Sequence, residues 1–358
     1  MALDRVNWDR AASKRTSPDE IVPSSVGGTP LPAGRVCAAI DLGTNNCRLL
    51  IARTTPTGFR IVDSYSRIVR LGEGLASEGI ISPDATARAL KALAVCQRKI
   101  TRLGARTVRA VATEACRRAA NRDAFVKTVA HETGLVLDII SPEEEARLAV
   151  LGCQSLLDPR FPYGLVFDIG GGSTEVVFLA RREDGRIEIL DFASLPAGVI
   201  TLSEAHGLPS GDPNRYRHTR EQVRMLMAAV EQRVGFAQYA RQGRVQLIGT
   251  SGTVTTLAST FLKLPRYDRR RVDGTWFAAT ALTELARKVA LMPQERRARL
   301  PSIGPDRARY VVAGCAVLEA LLAVWPADRL RVADRGLREG VLRTLIGQDD
   351  MVIWKPPS

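Results

Sequence analysis

The sequence predicts an α/β protein made of two related halves that enclose a cleft. Three observations carry this expectation. The segment AAIDLGTNNCRLLIA, around Asp41, reads as strand, tight turn, strand, and LVFDIGGGSTEVVFL, around Asp168, repeats it with the two aspartates aligned. After each copy, runs with helical spacing of apolar residues alternate with short β-rich runs. The length of 358 residues suits two domains of roughly 100–200 residues each, plus a tail.

In chain order, residues 1–35 are polar, rich in Ser, Pro and Gly, and lack periodicity, so a disordered N-terminal tail is expected. The first domain is expected over 36–160 and the second over 161–358, with the last helix a candidate to pack back on the first. VCAAIDLGTNNCRLLIAR opens the first domain as a hairpin, and GFRIVDSYSRIVRL continues the sheet. Pro83 to Leu103 is helical, with Ala85, Ala89, Leu93 and Ile100 on one face. TVRAVAT is a strand, followed by a helix from about Glu114. A second helix runs from Asn121 to Thr133 and is closed by Gly134. LVLDII is a strand and SPEEEARLAVLGCQSLL a helix. After DPRFPYG come the second hairpin, a helix from about Arg220 to Ala240, the strand VQLIG, the turn TSG and a helix from Thr253. RYDRRRVDG reads as a loop. Helices fill much of 279–325, then a short strand (LRVAD) and a last helix near 336–346.

Apolar residues are 45% of the chain and charged residues 25%, which allows a core of ordinary size. The net charge of +13 favours acidic partners such as phosphorylated metabolites. The six cysteines form no C-x-x-C pair and no zinc-like cluster, so buried thiols in a reducing compartment are expected. MALDRVNWDR lacks the apolar stretch of a signal peptide, and the longest apolar run, Val311 to Trp325, is broken by Glu319. A cytoplasmic protein with no membrane span is the expectation.

Five motifs could carry chemistry. In DLGTNN, Gly43 permits a tight turn whose backbone, with Thr44, Asn45 and Asn46, offers donors to an anion. Asp41 would repel phosphate, so it makes sense facing a hydrated cation or a water. In DIGGGSTE, Gly170, Gly171 and Gly172 interrupt β-type sequence, as a backbone approaching phosphate requires. Ser173 and Thr174 add donors there, and Asp168 with Glu175 could hold magnesium between the strands. In SPEEEAR, Ser141 caps a helix, Pro142 fits its first turn and Glu144 completes a capping box. Glu145 has no capping duty and could take a proton from water. In ATEACRRAAN, Thr113 could cap a helix aimed at an anion, and Arg117 could grip phosphate oxygens. GTSGTVTT, with Ser251, Gly252 and Thr253, is another strand-to-helix anion turn. Each also has a plain structural explanation as hairpin, cap or solvated surface, so the set matters more than any member.

There is no Walker A sequence. His131, His206 and His218 are not followed by Asp, which excludes an HD-type phosphohydrolase. Aromatic and basic residues are not interleaved as in single-strand binders, so nucleic acid is not expected as a partner.

Taken in order, DLGTNNCRLLIA, ATEACRRAAN, IISPEEEARL, DIGGGSTE, IGTSGT and ADRGLREGVL resemble the Ppx/GppA family of exopolyphosphatases and guanosine pentaphosphate phosphohydrolases. The resemblance spans about residues 36–345. It implies an actin-like, ribonuclease-H-like architecture with two domains around an active-site cleft. It implies Glu145 as catalytic base and Asp168 and Glu175 as magnesium-associated acids, with Asp41 nearby. It implies Arg117, the second loop and Ser251–Thr253 as phosphate ligands. Magnesium is the implied cofactor, manganese the alternative. Polyphosphate is the implied substrate and pppGpp the alternative, and family members often pair as homodimers. Two features depart from the pattern. Pro142 replaces a usual glycine, and the chain stops at Ser358 without a helical C-terminal extension, as in the short two-domain form. Basic segments such as Arg269–Arg271 and Arg296–Arg299 could guide a polyanion. The rival readings are an actin-like ATP-binding kinase or switch and a non-catalytic nucleic-acid binder.

Overall fold

The structure, a computed structural model, describes residues 32–208 and 212–354. Residues 1–31 of the expected N-terminal tail lie outside the described residues. Two mixed sheets organise the chain. The first joins β1 (Val36–Leu42), β2 (Asn46–Thr55), β3 (Gly58–Ile68), β4 (Thr107–Ala112) and β5 (Leu137–Ile139) in the order β3-β2-β1-β4-β5. Strands β1 to β3 form an antiparallel meander, and β4 and β5 run parallel to β1.

The second sheet repeats this plan. It contains β6 (Tyr163–Ile169), β7 (Thr174–Arg181), β8 (Ile187–Leu195), β9 (Val245–Thr250), β10 (Trp276–Ala278), β11 (Arg329–Val332) and β12 (Val352–Trp354). Its order is β10-β11-β9-β6-β7-β8-β12, so β8-β7-β6-β9-β11 matches β3-β2-β1-β4-β5, with one strand added at each edge. The sequence repeat is therefore a repeat of topology, and the architecture is the expected actin-like one.

Three apolar cores hold the layers. One lies under the outer face of the first sheet, against the Pro83–Arg102 helix. Another lies under the second sheet, where the Val311–Val324 helix is buried along nearly its whole length. The third joins the two sheets. It gathers Cys37, Ala39 and Leu50 from one sheet, Val166 and Val177 from the other, and Leu148, Leu151, Val341 and Leu342 from two helices between them, Pro142–Cys153 and Leu337–Leu345. Those two helices cross with backbone against backbone. A Cβ on Gly152 would sit 1.9 Å from the Gly336 carbonyl oxygen, and one on Gly340 would sit 2.0 Å from that of Leu148.

Several elements differ from expectation in their bounds. The helix expected from Arg220 begins at Pro213, because Asp212 caps it by accepting from the Asn214 and Arg215 amides. RYDRRRVDG is not wholly loop, since Asp268 caps one turn of helix over Arg269–Val272. Strand β8 and the Val199–His206 helix have no clear periodic signal and were not expected. All six cysteines are buried and free. No helix among the described residues is long and apolar enough to cross a membrane.

A methyl group at the helix crossing has nowhere to go. Gly340→Ala is expected to lower the free energy of unfolding by roughly 2 kcal/mol or more, since it forces backbone apart in a packed interior. Urea denaturation of the two proteins measures this, and equal midpoints would contradict it.

Candidate active site

The two hairpin turns face each other at one end of the sheets. Each is closed by an equivalent hydrogen bond, Gly43 N to Asn46 O at 2.9 Å in the first and Gly170 N to Ser173 O at 3.0 Å in the second. The glycines line the crevice and have a packing role as well. A Cβ on Gly171 would lie 3.0 Å from the Asn45 nitrogen and one on Gly172 2.7 Å from Thr44 Oγ1. On Gly198 it would lie 2.3 Å from the Gly171 oxygen. Glycine lets the second loop fit against the first and against the segment beneath it.

Around these turns one crevice is lined by Asp41, Asn45, Arg48, Thr113, Glu145, Asp168, Glu175 and Ser251. Its carboxylates are partly or wholly buried. Burial pushes Asp168 up to about 6, with Asp41 adding to the rise and Arg48 and Ser251 opposing it. Burial pushes Glu175 up to about 7, with Asp168 adding. Glu145 is raised well above the usual carboxylate range by burial, then by Glu175, although Arg117 pulls the other way. Asp41 is raised by burial and held back by Arg48. The cause is common to all four: charge is being removed from water without enough positive charge to replace it.

Arg117 sits beside Glu145. Its Nη1 donates to Glu145 Oε2 at 2.8 Å and to the Ile140 carbonyl at 2.9 Å, and its Nη2 donates to Glu114 at 3.1 Å. The expected phosphate ligand is thus engaged in orienting the expected base. Thr113 makes no cap hydrogen bond and lines the crevice instead. At the next helix, Ser141 Oγ accepts from the Glu144 amide, but the Glu144 carboxylate turns to Arg109 and Arg147. Only half of the expected capping box forms, because two guanidinium groups outcompete one amide.

The remaining expected residues divide. Ser173 and Ser194 both donate to Glu175 Oε1, at 2.5 and 2.9 Å. Thr174 is buried and donates to the Ala197 carbonyl, away from the crevice. Gly252 and Thr253 line an adjoining cavity rather than the crevice itself. Ser251 opens its helix with φ of 72°, a strained left-handed conformation for a residue with a side chain.

Sequence reasoning missed Arg48. It lies directly across from Asp41 in the β1–β2 register, as Glu175 lies across from Asp168 in β6–β7. The repeat alignment contains this signal, since Arg48 occupies the position of Glu175. Among the described residues the Arg48 side chain makes no hydrogen bond or ion pair. It also lines the adjoining cavity, with Ile169, Val199, Arg307, Tyr310 and Val311. Burial and Arg48 both make the charge on Arg307 harder to keep.

The acids fit a hard cation, though not as a ready-made cage. Asp168 Oδ1 is buried and has no hydrogen-bond partner. Among the described residues, no three His, Cys, Asp or Glu side chains gather closely enough to hold a metal by themselves. That pattern suits an ion bound by one or two carboxylates together with substrate oxygens and water, which is the habit of Mg²⁺.

Raised folded-state values set the sign of a pH effect. Asp168 and Glu175 start from 3.8 and 4.5 and rise to about 6 and 7. The folded chain therefore holds protons that the unfolded chain has released. The contribution to stability is full below about pH 4 and is lost as pH rises through 6 and 7. In the presence of a chelator, Tm is expected to fall between pH 5 and pH 8, and Asp168→Asn to flatten that fall. A Tm that rises equally in both proteins would contradict it.

A model of the Ppx/GppA phosphatase family matches residues 50–348. The chain is 32% identical over 327 residues to Exopolyphosphatase 2 of Mycobacterium tuberculosis, covering 87% of this chain and 98% of that protein. It is similar to the solved Ppx/GppA enzyme of Aquifex aeolicus, with a TM-score of 0.71, 30% identity, and coverage of 86% and 98%. An exopolyphosphatase structure from Cytophaga hutchinsonii has a TM-score of 0.78 at 23% identity, with coverage of 87% and 98%, and shows the same fold. The family model and the relatives each span most of the chain, so it belongs to the Ppx/GppA phosphatase family and is a hydrolase of phosphoanhydride bonds.

Proposed function

We propose that this enzyme is an exopolyphosphatase, releasing phosphate from the terminal phosphoanhydride of inorganic polyphosphate. The observation that carries the reading is Glu145. It is a partly buried carboxylate whose proton affinity is raised, oriented by Arg117, in a crevice walled by both anion-type turns. A raised pKa brings a carboxylate nearer the basicity that proton transfer from water needs at neutral pH.

In this reading Glu145 takes a proton from a water as the water oxygen bonds to the terminal phosphorus. The bridging P–O bond breaks, and its electron pair leaves with the shortened chain. Amides of the turn residues Thr44–Asn46 and Gly171–Ser173, with the guanidinium of Arg48, hold the phosphoryl oxygens, while the Gly43 and Gly170 amides close the turns. Arg117 is a positioning residue that keeps Glu145 aimed. Asp168 and Asp41, with Glu175 behind them, would hold Mg²⁺ (or Mn²⁺), which supplies positive charge to offset that of the phosphates. Positioning and electrostatics account for most of the rate.

A second reading, hydrolysis of pppGpp to ppGpp, draws support from the adjoining cavity. Its apolar wall of Ile169, Val199, Tyr310 and Val311, with Arg48 and Arg307, suits a nucleoside joined to phosphates.

Phosphate release from polyphosphate, pppGpp and ATP, each with and without magnesium, separates these readings. Polyphosphate is expected to be the best substrate, with release dependent on magnesium. Faster release from pppGpp would favour the second reading, and tight ATP binding with transfer to an acceptor would favour a kinase. Glu145→Gln is expected to slow polyphosphate hydrolysis by about 10²–10⁴-fold. Near-wild-type hydrolysis would remove Glu145 as the base.

A further inference from the structure

Behind the crevice lies a larger cavity, of about 530 Å³, against about 60 Å³ for the crevice and 90 Å³ for its neighbour. One wall is the β2–β3 turn, including Phe59 and Arg60. The other carries Arg269, Arg335, Glu339 and Arg343 from the second half. Four guanidinium groups and one carboxylate thus line a single space contributed by both halves.

Two of the arginines are already matched. Arg335 pairs with Asp273, and Arg269 pairs with Glu339 at 2.6 Å and with Asp334 at 3.6 Å. The other two are not. Arg60 is exposed, with no ion pair or hydrogen bond from its side chain among the described residues. Arg343 Nε is buried with no partner, while its Nη1 reaches Gln348 Oε1 only at 3.5 Å. Its guanidinium lies 6.0 Å from the centre of the Phe59 ring. Burial, with Arg335 beside it, makes this charge harder to hold. A buried guanidinium donor without an acceptor is costly, and an oxyanion removes the cost.

The cavity and the crevice are joined only by a narrower space that shares lining residues with each. The narrow space between them, about 30 Å³, is lined by Asp41, Asp168, Asp334 and Glu339 as well as by arginines. Glu339 closes it by accepting from Arg269 and from the Gly336 amide. A phosphate chain threading from one to the other would have to pass these carboxylates.

We propose that this cavity is a second anion site, separate from the catalytic crevice, that takes a small phosphoanhydride such as pyrophosphate between Arg60 and Arg343. An anion with charge on two phosphorus centres can meet guanidinium groups on opposite walls, which a single carboxylate cannot. Bound there, it ties the first half to the second. The site does not depend on which phosphoanhydride the enzyme hydrolyses.

The test is calorimetric titration of the full chain with sodium pyrophosphate in the presence of a chelator, where turnover does not intervene. Two classes of site are expected. Arg60→Ala and Arg343→Met should each weaken one class about ten-fold or more, and Arg48→Ala should weaken the other. Arg60 is exposed, so its loss does not threaten folding. A single class that Arg48→Ala removes, and that neither Arg60→Ala nor Arg343→Met alters, would overturn the proposal. A second arm compares KM for tripolyphosphate and for long-chain polyphosphate. Arg60→Ala and Arg343→Met are expected to leave their ratio unchanged. A rise confined to long chains would place the tail of the substrate in the cavity and overturn a separate site.

Discussion

Charge in the crevice is the constraint on which the rest depends. Asp41, Glu145, Asp168 and Glu175 line one narrow crevice. Removing carboxylates from water raises the free energy of their ionised forms, and mutual repulsion raises it further. The fold answers with Arg117 on Glu145, Arg48 near both aspartates, and serine hydroxyls on Glu175 and Asp168. These partners hold the acids in place without neutralising them. What remains is a preorganised demand for positive charge beside loops whose amides suit negative charge. A phosphoanhydride accompanied by a divalent cation would meet both demands together.

The twin hairpins explain how such a site is assembled. Each places one acid at the end of its first strand, and the facing position of its second strand carries Arg48 in one half and Glu175 in the other. The same backbone frame therefore presents opposite charges from its two copies. Close contact between the copies requires small residues, and Gly171 and Gly172 supply them against Thr44 and Asn45.

Much of this was legible in the sequence. The repeat announced the paired sheets, because the strand–turn–strand pattern with a shared Asp survives in both halves. Glu145 could be singled out by elimination, since Ser141, Pro142 and Glu144 had capping explanations. What escaped notice depends on contacts between distant segments. Arg48 reads locally as a polar residue in a strand, and only the opposing hairpin turns it into a charge of the crevice. Helix position, visible in sequence, suggests Arg117 as a phosphate ligand, but its contact with Glu145, 28 residues away, is visible only in the fold. Thr174 was read as a donor to the site, yet strand alternation turns it toward the Ala197 carbonyl. Strand β8 mixes polar and apolar positions around a bulge, so its pairing with β7 leaves little periodic trace.

The glycines where the Pro142–Cys153 and Leu337–Leu345 helices meet have a mechanical consequence. Side chains that interlock must be lifted out of one another before two bodies can turn. Where bare main chain meets bare main chain, there are no teeth to disengage. Leu148, Leu151, Val341 and Leu342 on the neighbouring turns supply the teeth instead, and the bare crossing lets them mesh closely enough to lock the joint.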